Sequence, residues 1–188
     1  AIRLKPEYAI AHHSLGNLLS ELECYEEAEE ELRKAIRLRP DNARAHNNLG
    51  NLLSELECYE EAEEEYREAI KLKPDFVEAY DNLGILLIDR GDITSDEVFY
   101  EEAIDEFKKA LNLGLKDAEV HNSIGYAYVK LGNLNKAREE FTRAIKLDPS
   151  YYKAKRNLKR IDKKTGEKVP NWLKAIVGLI IIAELGFA

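Results

Sequence analysis

Along residues 43–74 the apolar positions recur with a helical period. Ala45, Leu49, Leu52, Leu53 and Leu56 fall at i, i+4, i+7, i+8 and i+11, one stripe of an amphipathic helix. After Glu57-Cys58 a second stripe runs through Tyr59, Ala62, Tyr66, Ala69 and Ile70, and Pro74 forbids further helix. The pair of stripes then repeats. The stretch from His13 recurs 34 residues later from Asn47, and looser copies begin at Val77 and Ala118. Self-similarity at such a period means a stacked array of one supersecondary unit. Pro6, Pro40 and Pro149 punctuate the other units as Pro74 does this one. Gly16, Gly50, Gly84 and Gly125 recur in mid-helix, where glycine costs about 1 kcal/mol against alanine. A missing side chain at one phase of every unit predicts close approach of the paired helix.

The pattern therefore predicts an all-α chain of helix–turn–helix units. Residues 1–8 read as the end of a truncated upstream unit, because AIRLKPEY matches AIRLRPDN at Ala35. Four units follow, at 9–42, 43–76, 77–117 and 118–151. The third carries about seven extra residues near 92–99, which the sequence places in a second helix lengthened at its start, with Thr94 or Ser95 as its cap. Leu115 takes the place of the turn proline, with Gly114 as a helix stop. Residues 152–165 read as a basic capping helix, and 166–188 as a linker and an apolar C-terminal helix.

These units resemble tetratricopeptide repeats. Leu49-Gly50, Leu53, Tyr59, Ala62, Tyr66, Ala69 and Pro74 fit that family's pattern, and the resemblance covers residues 1 to about 158. It implies a right-handed α-solenoid of helix hairpins with a concave face built by each unit's first helix. It also implies a non-enzymatic protein–protein interaction scaffold, binding a peptide or a partner helix in that groove.

Composition narrows the partners. The 188 residues carry net charge −8, which argues against nucleic acid. The charge is uneven: residues 153–168 hold eight Lys/Arg against Asp162 and Glu167, a local +6. Residues 1–152 hold 19 bases against 33 acids, or −14. Two cysteines and no signal peptide point to a reducing, cytoplasmic setting.

Candidate chemistry resolves mostly into structure. His12, His46 and His121 occupy one repeat position, where the family favours a packed aromatic, and a whole hairpin separates them, too far to share a metal. Cys24 and Cys58 are likewise one repeat apart, beyond disulfide reach. The glutamate runs of the second helices lack calcium-loop spacing and read as solvated faces. No nucleophile, phosphate-loop or zinc-protease motif occurs, so neither a cofactor nor enzymatic activity is expected.

The expected groove face comprises His13, Asn17, Arg44, Asn47, Asn48, Asn51, Asp81, Asn82, Asn122, Tyr126, Lys153, Arg156 and Asn157, with Ile10 and Ile85 also facing it. Asn48, Asn82 and Asn157 share one repeat place. An amide there either pairs with an extended peptide backbone or joins neighbouring helices, and the sequence leaves both open. The family's carboxylate clamp needs cations where this chain has His13, Glu78, Asp81 and Glu119, which argues against an acidic C-terminal tail as ligand. In Val169–Ala188, Trp172, Ile176, Leu179, Ile180 and Phe187 form one apolar stripe opposite Lys174 and Glu184. That asymmetry suits a groove better than a bilayer, so self-association and a homo-oligomer are expected. The alternatives are a membrane-tethered adaptor, for which the basic collar and Trp172 speak, and a regulatory part of a larger enzyme.

Overall fold

The computed structural model of the chain describes residues 6–166, which form nine α-helices and, among the described residues, no strand. They are α1 (Pro6–Glu21), α2 (Tyr25–Leu38), α3 (Ala43–Glu55), α4 (Tyr59–Leu72), α5 (Val77–Thr94), α6 (Glu97–Asn112), α7 (Ala118–Lys130), α8 (Leu134–Leu147) and α9 (Tyr152–Thr165). The expectations for residues 1–5 and for the C-terminal segment lie outside the described residues.

The chain divides into two compact units, Ala1–Gly114 and Leu115–Ala188. In the first, α1–α2, α3–α4 and α5–α6 are antiparallel hairpins, and α2 packs on α3 and α4 on α5. In the second, α7–α8 form a hairpin and α9 packs on α8. No described helix is long and apolar enough to cross a membrane.

The helix starts and stops follow from local chemistry. The side chains of Asn42, Asp96, Asp117 and Asn133 each accept a hydrogen bond from a first-turn N–H. Within the hairpin turns Glu23, Glu57 and Gly132 adopt the left-handed conformation. There the N–H of the next residue reaches back to a carbonyl five positions earlier, as Cys58 does to Leu53 at 2.8 Å, closing the first helix.

Core packing explains the two stripes. Leu49, Leu52 and Leu53 of α3 are at most 2% exposed because α2 covers one flank and α4 the other. Their α1 counterparts Leu15 and Leu18 are 44% and 51% exposed, since no described helix lies on that flank. The mid-helix glycines do bring paired helices together: a Cβ at Gly125 would sit 2.6 Å from Phe141.

The insertion differs from its expected place. α5 has 18 residues against 13 in α3, and α6 has 16 against 14 in α4, so the first helix takes five of the extra residues and the second only two. The cause is an added rung of packing. Gly91, seven residues after Gly84, faces Tyr100, seven residues before Phe107, and a Cβ at Gly91 would meet the Tyr100 ring at 2.9 Å. The Tyr100 hydroxyl then donates to Asp92 at 2.6 Å. Asp96, not Thr94 or Ser95, caps α6.

One polar contact recurs inside the hairpins. His12 pairs with Glu31, His46 Nδ1 lies 2.6 Å from Glu65, and His121 Nδ1 lies 2.7 Å from Glu140. A cation three residues after the carboxylate supports it: Lys34 on Glu31 at 2.8 Å, Arg143 on Glu140 at 2.6 Å. In the third hairpin Tyr80 replaces the histidine, and Lys109 supplies the charge, 2.9 Å from Glu106 and 5.9 Å from the Tyr80 ring centre. In the second hairpin that cation is Glu68 instead.

Candidate peptide-binding face

In the first unit α1, α3 and α5 bring their polar rows side by side, and the asparagines bond to one another. Asn48 Nδ2 donates to Asn17 Oδ1 at 2.8 Å and to His13 Nε2 at 2.9 Å. One repeat on, Asn82 Nδ2 donates to Asn51 Oδ1 at 2.9 Å and to Asn47 Oδ1 at 3.1 Å. The rule is common to both: the amide reaches back 31 and 35 residues to the preceding first helix. The second unit repeats it, with Asn157 Nδ2 donating to Asn122 Oδ1 at 3.0 Å.

These bonds set the electrostatics of the face. An amide N–H is only a donor, so His13 Nε2 must present a lone pair, and the ring is the neutral tautomer protonated on Nδ1. Burial, and then the charge of Arg44, lower the His13 pKa, in agreement. The Tyr66 hydroxyl donates to Asn51 Oδ1 at 2.8 Å, anchoring the row to the second helix behind it. The nitrogens of Asn48 and Asn82 are thereby consumed, while Asn17, Asn51 and Asn122, whose oxygens accept, donate to no described group. Asn48 Oδ1 receives only a long contact from Asn47, at 3.4 Å, and no described group donates to Asn82 Oδ1 or Asn157 Oδ1.

The expected site residues therefore separate. His13, Asn17, Asn47, Asn48, Asn51 and Asn82 form one network, which Arg44 joins only through its charge. Asp81 is half-buried beside it. In the second unit Asn122 and Asn157 pair, and the Lys130 ammonium sits 5.1 Å from the Tyr126 ring centre. Lys153 meets Glu119 at 3.3 Å, while the Arg156 guanidinium turns to the Tyr152 ring, 5.5 Å away. Burial, and then the charge of Glu119 and its hydrogen bond with the Tyr151 hydroxyl at 3.4 Å, push that phenol up to about 12. Trp172, Ile176, Leu179, Ile180 and Phe187 lie outside the described residues.

The sequence missed Tyr66 as part of this face. Its signal was present: Leu32, Phe107 and Phe141 hold the same register, and Tyr66 alone adds a hydroxyl.

Stacked helix hairpins that present a row of polar side chains from each first helix define a helical-repeat protein-interaction scaffold. TPR repeat profiles match residues 16–57 and 100–132, and tetratricopeptide repeat profiles match residues 43–76 and 118–151. The chain belongs to the tetratricopeptide repeat family. Among solved structures it is similar to MamA 41-end from Desulfovibrio magneticus RS-1, with 20% identity, 95% of each chain covered and a TM-score of 0.76. It is similar as well to MamA MSR-1 C2, at 26% identity over 75% of this chain and 77% of that one, with a TM-score of 0.65. TTC0263, a thermophilic TPR protein in Thermus thermophilus, matches at 20% identity over 85% and 84%, with a TM-score of 0.65. No curated protein matches the sequence. At such identities the first and third likenesses show the fold alone.

Proposed function

We propose that this protein is a non-enzymatic scaffold whose first-helix faces hold an extended peptide through its backbone N–H groups. The observation that supports this is the direction of the asparagines. Asn48 and Asn82 are each fixed by two bonds their nitrogen donates, so the oxygen is held in one orientation before any ligand arrives. A peptide backbone in extended form offers N–H donors at regular spacing and needs no particular side chains. Ile10 and Ile85, 55% and 46% exposed, add apolar contact. The exposed carboxylate of Glu78 favours basic peptides over acidic ones.

Residues 169–188 are the proposed resident occupant, in the same chain or a neighbouring one, through Trp172, Ile176, Leu179, Ile180 and Phe187. Deleting them should raise affinity for added peptides and dissociate any oligomer seen by light scattering. Unchanged affinity and unchanged mass would remove that segment from the groove.

A further inference from the structure

α9 carries seven cations in 14 residues, and its single acid, Asp162, is 6% exposed and bonded to Arg138 at 2.9 Å. Ala154, Leu158 and Ile161 are buried against the α7–α8 hairpin, and the cations hold most of the exposed positions that remain. Lys153, Arg156 and Arg160 stand at the groove register. Lys155 and Lys159 stand on the flank, where the preceding repeat has His121 and Gly125.

A terminal helix has to be polar, but nothing in capping requires one sign of charge. Elsewhere in this protein surface cations sit among carboxylates: Arg33 with Glu29 and Glu61, Arg67 with Glu63 and Glu102, Arg90 with Glu60 and Glu63. Among the described residues, Lys153 is the one α9 cation that pairs with an exposed carboxylate. Lys155, Arg156, Lys159, Arg160, Lys163 and Lys164 make no ion pair among the described residues, and their mutual repulsion works against the helix.

We infer that the exposed side of α9 docks on an anionic lipid surface. The cations are spread over several sides of the helix rather than gathered round one point, which suits a flat array of headgroups. Tyr152, 62% exposed and stacked with Arg156, places an amphipathic ring among them, the residue type that settles at a bilayer interface. A cluster of cations without carboxylate partners is drawn to an anionic leaflet, and the attraction falls off within a Debye length. The −14 of residues 1–152 is repelled by the same surface, which confines contact to this helix.

The test is flotation of the full chain with vesicles of phosphatidylcholine alone or with one quarter phosphatidylserine. The account expects binding only where phosphatidylserine is present, weakening as salt rises. The K155E/K159E/K163E variant should lose affinity on the order of 100-fold, and K155Q/K159Q/K163Q on the order of 10-fold or more, with helicity and melting temperature kept. The glutamine variant keeps the test open if charge reversal disturbs folding. Binding that survives both variants would belong to residues 169–188 and overturn the assignment to α9. Equal binding to neutral vesicles would overturn it too, as would tighter capture of polyglutamate or of duplex DNA than of the anionic vesicles at equal charge.

Discussion

The second hairpin should make the first unit respond to pH, and one substitution should abolish the response. His46 lies between two acceptors, Glu65 Oε2 at 2.6 Å and the Pro40 carbonyl at 3.1 Å, so both ring nitrogens must donate and the ring is an imidazolium. Burial opposes that charge, but the bonds to Glu65 and Pro40 and the charges of Glu65 and Glu68 outweigh it and raise the His46 pKa. A group with a raised folded pKa contributes stability that is complete below its unfolded value and is lost as pH climbs through the folded one. The loss is one hydrogen bond to a charged group, about 1–2 kcal/mol at this buried position. For a chain of this size that is a fall in melting temperature of roughly 3–6 °C. In the other hairpins Lys34, Lys109 or Arg143 neutralises the equivalent carboxylate, and for Glu31 the Lys34 and then the His12 hydrogen bonds hold the carboxyl below its usual range. Glu68→Lys restores that cation beside Glu65 and removes a like charge, at the loss of the surface pair with Lys71, worth about 0.3–0.5 kcal/mol. Melting followed by circular dichroism from about pH 5.5 to about pH 8.5 should fall for the wild type and flatten for E68K, a window set above the carboxylate titrations. NMR should show the His46 ring titrating above the free-histidine value. Parallel slopes for the two proteins, or a His46 titration at or below that value, would mean that His46 is not held as an imidazolium.

Gly125→Ala puts a methyl 2.6 Å from the Phe141 ring. Thermal or denaturant melting should show a net loss of about 1–2 kcal/mol, overpacking outweighing the helix propensity gained. Glu57→Gly relieves a left-handed residue at φ 60° and should stabilise by about 0.5 kcal/mol, whereas Glu57→Val should destabilise; equal melting midpoints would contradict the strain. Tyr66→Phe removes the hydroxyl on Asn51 and should cost about 1 kcal/mol in denaturant melts while leaving the α3–α4 packing intact by NMR.

Much of this architecture was legible because a repeat repeats its physics. Four copies of one apolar phase, broken by prolines, fixed the hairpins, and the recurring glycines announced the close approach to Phe107 and Phe141. The insertion was misplaced because capping residues are a local signal, while the helices lengthened to add a packing contact between distant positions. Gly91 and Tyr100 carried that information, each seven residues from its counterpart in the Gly84–Phe107 contact. The asparagine row was visible, but not the direction of its amides. That direction depends on atoms 31 and 35 residues away, brought near only when successive first helices stack. Glu68 stood in plain view among the cations of its register, but its meaning needs the carboxylate that His46 alone must neutralise.

The central claim is that the fixed asparagine oxygens receive peptide N–H groups. It is tested most directly by isothermal titration of the full chain with a peptide selected from a random display library, against single-site backbone N-methylated versions of it. The account predicts that methylation at alternate positions weakens binding by roughly 10-fold, that methylation between them has little effect, and that Asn82→Ala removes this contrast at its own position. Uniform tolerance of N-methylation, or Asn82→Ala lowering the melting temperature while leaving the methylation pattern unchanged, would reduce the row to a device that holds the helices together.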